Sequence, residues 1–343
     1  MLLVLLASRA LSQETAPAGG DPAAPALAAG QLSAADPTFF PAEGTAGRED
    51  GRLAGNHNFS NFIGFIGNPL ENIDPRAVTA IYPLFGSSWV SNTAPIPNAD
   101  GQVYGPGITV ALSERLAVGV NQGGYAHLDI TRNESARSAR FRQLITQFDP
   151  QGRFRDVEAG GERNGFLNVG GFLQYTLIEN VKDQFLLTGG VRWVAPCGSH
   201  EVFQGMGPAL MAPYFTAGKE WGEFHVLATS GFQFPFAGSG KLEKDVFYTN
   251  IHLDRRCFGC LYPLVEFNLS YHTSNVSFGL ATREGFIDFG NFQSQGNVLT
   301  MAVGANVVLI KERLEFGAVY GTVLASQHDF EANSLLVKMM LRY

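Results

Sequence analysis

Hydrophobic and polar positions alternate most clearly at the end of the chain, where residues 334–343 read SLLVKMMLRY. Successive side chains of a β-strand point to opposite sides, so alternate positions share a face. One face is apolar and ends on an aromatic residue: Leu335, Val337, Met339, Leu341 and Tyr343. The other face carries two cations, Lys338 and Arg342. This pattern predicts a final strand with one lipid-compatible face and one polar face.

Similar alternation extends back to Arg76 and predicts about twelve strands of about 10–15 residues. Their expected ranges are 76–90, 102–113, 115–130, 165–178, 184–196, 207–218, 222–236, 245–256, 261–273, 297–310, 313–325 and 332–343. In 222–236, for example, Phe224, Val226 and Phe232 oppose His225 and Thr229. The segments 76–90 and 207–218 do not separate cleanly into two faces.

The connections between these segments alternate in length. Some are tight, such as Ser113 to Arg115 and Lys311 to Arg313, whereas Thr131 to Asn164 and Ser274 to Gly296 are long. Short turns on one side and long loops on the other are typical of outer-membrane barrels, which have an even number of strands. We therefore predict an all-β fold: a closed antiparallel transmembrane β-barrel of about 12 strands in the bacterial outer membrane.

Composition agrees with a barrel without requiring one. The chain has 40 Gly and 27 Phe, only 16% charged residues and 45% hydrophobic residues, and no apolar run approaches the ~20 residues of a membrane helix. A large soluble β-sandwich remains an alternative on composition alone. The net charge of −7 gives no basic footprint, so nucleic acid is not an expected partner.

The N-terminal part divides into three segments ahead of the barrel. Residues 1–13 (MLLVLLASRALSQ) resemble a signal peptide without its positive start, which suggests a truncated gene start. Residues 14–55 are rich in Ala, Pro and Gly and are expected to form a flexible periplasmic linker. Residues 56–75 carry Phe59, Phe62 and Phe65 and could form a plug at the barrel or an apolar approach to the first strand. Residues 76–343 are assigned to the barrel.

Several motifs resemble one family. They are Asn68-Pro69 followed by Asp74-Pro75-Arg76, the run 116–129 (LAVGVNQGGYAHLD), the loop 202–205 (VFQG) and the run 262–268 (YPLVEFN). Together they are similar to bacterial outer-membrane barrels labelled as transporters of a phenol-degradation (MetA) pathway. The resemblance covers most of residues 66–343. It implies a barrel that moves small apolar or aromatic compounds and implies no catalytic residue.

The candidate functional residues are those expected to line the lumen. A tight turn near Phe258-Gly259 would place His252 opposite Glu266 and Asn250 opposite Asn268. This polar ladder could be a proton-sensitive constriction or a hydrogen-bonded network that only braces the barrel. Lys338 and Arg342 are expected to pair with Glu315. The full predicted lumen set is Arg192, Tyr248, Asn250, His252, Asp254, Glu266, Asn268, His272, Glu315, Lys338 and Arg342.

A lipid hydrolase is a weaker alternative. His272 and Ser274 lie two residues apart, so both would share a strand face, as in outer-membrane phospholipases. Such an enzyme needs its site on the lipid side, but His272 has the parity of the predicted lumen face. We therefore predict no enzyme activity.

The remaining signals concern cysteines and partners. Cys257 and Cys260 flank a predicted periplasmic turn and could form a disulfide, while Cys197 lies on the opposite side. No metal site and no cofactor are predicted. Expected partners are outer-membrane lipid and lipopolysaccharide, and a periplasmic or neighbouring membrane protein. The function predicted is a channel or transporter for small molecules, with a structural or partner-binding scaffold barrel as the alternative.

Overall fold

The fold is described from a computed structural model. The described residues are Leu53, 55–90, 99–130, 161–202, 204–205, 208–237, 245–272, 297–326 and 332–343. Outside these ranges lie the predicted signal peptide, almost all of the predicted linker and most of the long connection 131–164. Ser274, a residue of the alternative hydrolase site, also lies outside them.

The described residues form fourteen strands and one turn of 3-10 helix. The strands are β1 (Ala80–Val90), β2 (Ala99–Ala111), β3 (Leu116–Gln122), β4 (Tyr125–Ile130), β5 (Gly161–Phe166), β6 (Val169–Asn180), β7 (Phe185–Ala195), β8 (Ala209–Trp221), β9 (Phe224–Ala237), β10 (Val246–Arg255), β11 (Leu261–His272), β12 (Asn297–Ile310), β13 (Leu314–Ser326) and β14 (Ala332–Arg342). The 3-10 turn spans His200–Val202.

The sheet closes on itself. Neighbouring strands pair antiparallel, and β1 pairs with both β2 and β14. β3 and β4 are two halves of one barrel strand, because both pair with β2, and β5 and β6 likewise form the next barrel strand. The described strands therefore make a closed antiparallel barrel of twelve strands, which confirms the predicted fold. None of the helical structure in the described ranges is long and apolar enough to cross a membrane.

The interruption of β3–β4 has a clear local cause. Gly123 and Gly124 have φ angles of 151° and 120°, which a side chain would strain. A Cβ at Gly124 would also lie 2.1 Å from the carbonyl oxygen of Tyr104. Leu167, in the matching break between β5 and β6, donates its N–H to the oxygen of Gly124 at 3.0 Å.

Strand faces follow the predicted alternation. On β9, Phe224, Phe232 and Phe236 are exposed, whereas His225 and Thr229 are buried. On β14, Leu335, Met339 and Leu341 are exposed, whereas Leu336 and Met340 are buried. The exposed apolar side chains form the band that a barrel presents to hydrocarbon. Exposed aromatics at the short-turn end, Trp221, Phe258 and Tyr343, suit the water–lipid boundary.

The two segments that sorted poorly in sequence have apolar residues on the inner face. Leu84 of β1 and Leu210 and Tyr214 of β8 are buried inside the barrel. Leu84 packs in a cluster with Ile63 and Ile66, and Tyr214 in a cluster with Ile73. The inner wall is apolar there because it contacts protein, which obscures a simple polar–apolar alternation.

Several of the approximate strand boundaries predicted differ from the structure, two of them by four residues. β1 begins at Ala80, not at Arg76, because Arg76 is bound to Asp74 inside the barrel. The strand predicted from residue 165 begins earlier, because β5 starts at Gly161 and pairs with β4. The short connections at 112–115, 181–184, 222–223, 256–260 and 311–313 agree with the predicted sorting of loop lengths.

The exposed band gives a direct test of membrane insertion. Val303 of β12 is 49% exposed, and Val303→Arg is expected to cost about 2–4 kcal/mol if the site lies near the midplane. The measurement is reversible folding of urea-unfolded protein into liposomes. Tyr343→Arg, at the end of the barrel, should cost about 0–1 kcal/mol. Equal costs for both variants would contradict a lipid-facing band.

Candidate functional site: the barrel lumen

Residues 55–79, here called the lumenal segment, run through the interior of the barrel. They start and finish at the short-turn end, where Gly55 forms an antiparallel bridge with Val78. The N–H of Asn56 donates to the carbonyl oxygen of Ala77 at 2.7 Å, and the N–H of Tyr343 donates to the carbonyl oxygen of Thr79 at 3.0 Å. The segment is thus a re-entrant loop whose base is fixed beside the barrel closure.

Its apolar side chains are buried against the inner wall. Phe59 and Phe62 are 0% exposed and Ile63 is 1% exposed. Phe59, Phe62 and Phe65 cluster with Leu186 of β7 and Leu227 of β9. Ile63, Ile66 and Leu70 join a larger cluster with inward residues of several strands, including Leu128, Leu264 and Leu336. Removing this apolar surface from water favours the docked segment.

Wall side chains hydrogen bond to the backbone of the lumenal segment. This matters because the segment has little regular structure to satisfy its own carbonyl groups. Gln174 donates to the oxygens of Asp74 and Arg76, Thr188 to Pro75, Thr216 to Ile73, Asn121 to Leu70 and Lys338 to Phe65, at 2.6–3.1 Å. These donors lie on β6, β7, β8, β3 and β14, so much of the wall takes part.

An ion pair fixes the returning half of the segment. One oxygen of Asp74 accepts from the backbone N–H and Nε of Arg76 at 3.0 and 2.9 Å, and the other accepts from Nη2 at 2.5 Å. Arg76 Nη1 also donates to the oxygen of Phe59 at 3.1 Å. Burial disfavours the Asp74 carboxylate, but the charge and hydrogen bonds of Arg76 outweigh it and lower the pKa of Asp74 to about 2.

Asn68 and Asn72 shape the far end of the segment. Asn68 has a φ of 49°, a left-handed conformation that asparagine tolerates better than most residues. Its side chain donates to Glu71 at 2.7 Å. Asn72 donates to the oxygen of Gly67 at 2.9 Å and to the side-chain oxygen of Asn268 on β11 at 3.0 Å. The Asn-Pro motif therefore forms a turn that is bonded to the wall.

The polar ladder of β10 and β11 has the predicted register. His252 lies opposite Glu266, and Asn250 lies opposite Asn268, as the tight turn predicted. All four are at most 4% exposed. His252 Nδ1 is 2.7 Å from Glu266, and its Nε2 is 3.0 Å from Asp254. The Glu266 oxygens also accept from the N–H groups of Ile66 and Gly67 at 2.9 and 2.5 Å.

Other polar pairs hold the segment near the short turns. Asn61 donates to Glu220 at 3.1 Å and accepts from Arg256 at 3.0 Å. Asn56 and Asn58 donate to Glu179 at 2.9 and 3.1 Å. Both halves of the segment are therefore bound to the wall.

The structure places the other predicted lumen residues as follows. Arg192 is 4% exposed and donates to Gln122 at 2.8 Å and Gln233 at 3.2 Å. Tyr248 is fully buried in the cluster of Ile73. His272 is the last residue of β11, paired with Val246. A role of these residues in solute passage stays a prediction.

The expected pairing of the two terminal cations with Glu315 is half right. Arg342 is 2.6 Å from Glu315, as predicted. Lys338 instead donates to the backbone oxygen of Phe65 at 2.7 Å and lies over the ring of Tyr82. The lumenal segment brings an acceptor closer to Lys338 than the neighbouring strand does.

The cysteines remain as free thiols in this structure. Cys257 and Leu261 form an isolated bridge around the turn, in which Phe258 and Gly259 have φ angles of 52° and 75°. The turn disulfide stays a prediction. Within the described ranges, no group of three or more His, Cys, Asp and Glu side chains could hold a metal ion.

The most important residues missed from the sequence are those that bind the lumenal segment. Gln174, Thr188 and Thr216 donate to its backbone, and Arg76 neutralises Asp74. The inward parity of the three wall residues was available from the alternation pattern. Their partners were not, because they lie between 98 and 143 positions away along the chain.

Residues from the long-loop side also fold inward. The Asn168 side-chain oxygen accepts from the N–H groups of Gly198 and Gly205 at 2.9 and 3.0 Å. Val202, between them, is fully buried in the same cluster as Ile66 and Leu70. A small cavity of about 30 Å³, partly open to solvent, remains between the segment and the wall near Tyr82, Asn121 and Lys338.

Among the comparisons with known proteins, only the one with solved structures found a likeness. No protein-family model matches the sequence, and no curated protein matches it. Among solved structures, the COG4313 outer membrane channel from Pseudomonas putida F1 superposes with a TM-score of 0.52 and 10% identity, over 78% of this chain and 96% of that one. NanC porin gives 0.44 and 6% identity, over 76% of this chain and 100% of that one. The Pseudomonas putida toluene transporter TodX superposes with a TM-score of 0.35 and 10% sequence identity, over 86% of this chain and 98% of that one.

The first of these likenesses shows a shared barrel fold. Identity is too low for it to carry function across. Together with the closed barrel and its apolar exterior, it indicates a bacterial outer-membrane protein.

Proposed function

We propose that the protein is an outer-membrane channel for small molecules whose lumen is closed in this structure by the lumenal segment. The observation that carries the proposal is the re-entrant path of residues 55–79. The segment is bonded to a separate, self-closed wall through side chains rather than through strand pairing. It can therefore move without breaking the barrel ladder.

We further propose that the solutes are small and apolar or aromatic. The wall beside the segment presents Leu84, Phe172, Leu227 and Leu264, which would line the path once the segment moves. The inner charges are largely paired, as in Arg342 with Glu315. The resemblance to barrels labelled for a phenol-degradation pathway supports the same class, and lipid and lipopolysaccharide would surround the exterior.

Solute uptake by proteoliposomes tests this proposal. Phenol, as a small aromatic probe, should equilibrate faster through protein-containing liposomes than through empty ones, with a charged sugar of similar size excluded. Because phenol crosses lipid by itself, initial rates must be compared at several protein-to-lipid ratios. An initial rate of phenol uptake that does not rise with protein content would refute the channel.

A scaffold role is the second candidate, and the extent of the wall contacts favours it. Side chains from β3, β6, β7, β8, β11 and β14 all bind the lumenal segment, which suits a permanently filled barrel. Of residues 14–75, which the sequence offers as a periplasmic tether for a partner protein, only those before the lumenal segment would then serve, because residues 55–75 lie inside the barrel. Co-purification of one defined partner that is lost when residues 14–35 are removed, in a barrel that passes no solute, would support this role.

A further inference from the structure

Four titratable side chains form a continuous buried chain beside the lumenal segment. His225 Nδ1 is 2.6 Å from Asp254 Oδ1, and Asp254 Oδ2 is 3.0 Å from His252 Nε2. His252 Nδ1 is in turn 2.7 Å from Glu266. Each of the four is at most 4% exposed. Such a chain has little access to bulk water, so each contact must be satisfied within it.

The geometry defines the protonation of His252. Both of its ring nitrogens face carboxylate oxygens, and an ionised carboxylate can only accept hydrogen bonds. A neutral imidazole has one N–H and would leave one carboxylate facing a lone pair. Only the doubly protonated, positive ring donates to Asp254 and Glu266 together. The proton on His252 is therefore the one positive charge between these two buried carboxylates.

The lumenal segment depends on the Glu266 end of this chain. Glu266 accepts from the N–H groups of Ile66 and Gly67. A Cβ at Gly67 would lie 2.5 Å from the Glu266 carboxylate, so only glycine allows this approach. The Phe65 ring packs edge-on against the His252 ring, with centroids 5.3 Å apart. Charge and position at Glu266 thus determine how well residues 65–67 are held.

Other charged and titratable groups nearby do not replace the His252 proton. Lys338 of β14 donates to Phe65, Glu220 of β8 is 3.9 Å from His225, and the ring of Tyr262 of β11 is 5.9 Å from that of His225. Within the segment, Asp74 and Arg76 neutralise each other. Loss of the proton would remove the cation between Asp254 and Glu266 and leave them sharing the one N–H of a neutral His252 ring, a costly arrangement in a buried site.

We propose that His252 is the proton-binding site of a latch: its protonated ring keeps the lumenal segment docked, and loss of that proton at alkaline pH releases the segment. The consequence for solute passage rests on the proposed channel function. The latch itself concerns only the docking of residues 55–79.

Two substitutions should act in opposite directions. His252→Gln removes the cation and is expected to release the segment at all pH values. Asp254→Asn is expected to keep it docked even at alkaline pH. Asparagine can still accept from His225 through Oδ1, and its amide can donate to Nε2 of a neutral His252. A merely structural network would be weakened by both substitutions.

Cysteine labelling reads docking directly. With the native cysteines replaced by serine, Ile63→Cys reports a side chain that is 1% exposed, and Lys182→Cys, on an exposed turn, serves as the reference. The ratio of their labelling rates corrects for the intrinsic pH dependence of thiols. Between about pH 6 and about pH 10, this ratio should rise at least about tenfold with His252 and Asp254 intact.

In His252→Gln the labelling ratio of Cys at position 63 to Cys at position 182 should be high at every pH. In Asp254→Asn this ratio should be low at every pH. Glu223→Gln, which neutralises an exposed carboxylate on a short turn, should keep the parent profile. A low ratio in His252→Gln, or an alkaline rise that persists in Asp254→Asn, would overturn the latch. Heat-modifiable gel migration confirms folding of each variant, and Glu266→Gln, expected to release the segment, replaces His252→Gln if that variant does not fold.

Conductance measured on the same proteins separates the two proposals. Labelling that follows the expected pattern in a barrel that passes no solute supports the latch and refutes the channel. Solute passage with a flat labelling ratio refutes the latch and leaves the channel in place.

Discussion

Excision of residues 56–77 is expected to convert the closed barrel into an open pore. Gly55 and Val78 are bridge partners, so a short Gly-Ser linker can join them without disturbing β1. The wall should persist, because its strand ladder closes independently of the segment through β1 and β14. Planar bilayers should then show discrete current steps where the parent protein shows few or none.

The matched control removes an equal length from residues 14–35 and should behave like the parent protein. Excision also exposes inward Leu84, Leu227 and Leu264 to water, so thermal stability should fall. Heat-modifiable migration verifies that the excised protein still folds as a barrel. If this folded barrel shows no current steps, the segment does not close the lumen. That result would favour the scaffold role instead.

The second large effect is expected at Arg76. This side chain is 2% exposed and bonds to both Asp74 oxygens. Arg76→Gln leaves a buried carboxylate without its cation, which should cost about 3–5 kcal/mol. Unfolding in urea, monitored alongside protease protection of the segment, measures this loss.

Two controls define the origin of the effect. The side chain of Arg115 is 50% exposed and lies 3.8 Å from Glu179. Arg115→Gln should therefore cost only about 0–1 kcal/mol. The double variant Asp74→Asn/Arg76→Gln should be more stable than Arg76→Gln alone, because no buried charge remains. A double variant less stable than the single one would show that packing, not charge, dominates.

The same pair fixes a pH dependence. The folded-state pKa of Asp74 is lowered to about 2, below the value of about 3.9 for an unfolded chain. A lowered pKa contributes stability above the unfolded value, and this contribution is lost as pH falls from about 4 toward about 2. In Arg76→Gln nothing outweighs the burial of Asp74, so its folded-state pKa should lie above the unfolded value, and stability should rise rather than fall as the pH is lowered toward about 4. Urea unfolding at several acidic pH values distinguishes the two proteins.

Strand number, strand faces and one cross-strand register could be predicted from the sequence. The reason is that each depends on local features: alternation of side chains and the length of the connecting turn. His252 and Glu266 are separated by only 14 positions, so the tight turn between them set their pairing. Two of the errors appeared where a strand meets the segment, at residues 76–79 and at Lys338.

Lumen contents could not be predicted in the same way. Aromatic residues in 56–75 suggested either a plug or an approach to the first strand, and alternation cannot choose between these. Lys338 contacts Phe65 across 273 positions and Glu266 contacts Ile66 across 200. Such contacts leave no periodic trace in the sequence.

The sequence by itself determined that this protein is a closed barrel with an apolar exterior, since a period of two marks most of the strands whatever lies inside. Only the tertiary structure decided that the interior holds residues 55–79. An inward Gln174, Thr216 or Glu266 satisfies its hydrogen bonds equally well with water or with a backbone. Its presence in a strand therefore specifies a polar lumen, and the folded chain alone specifies what occupies it.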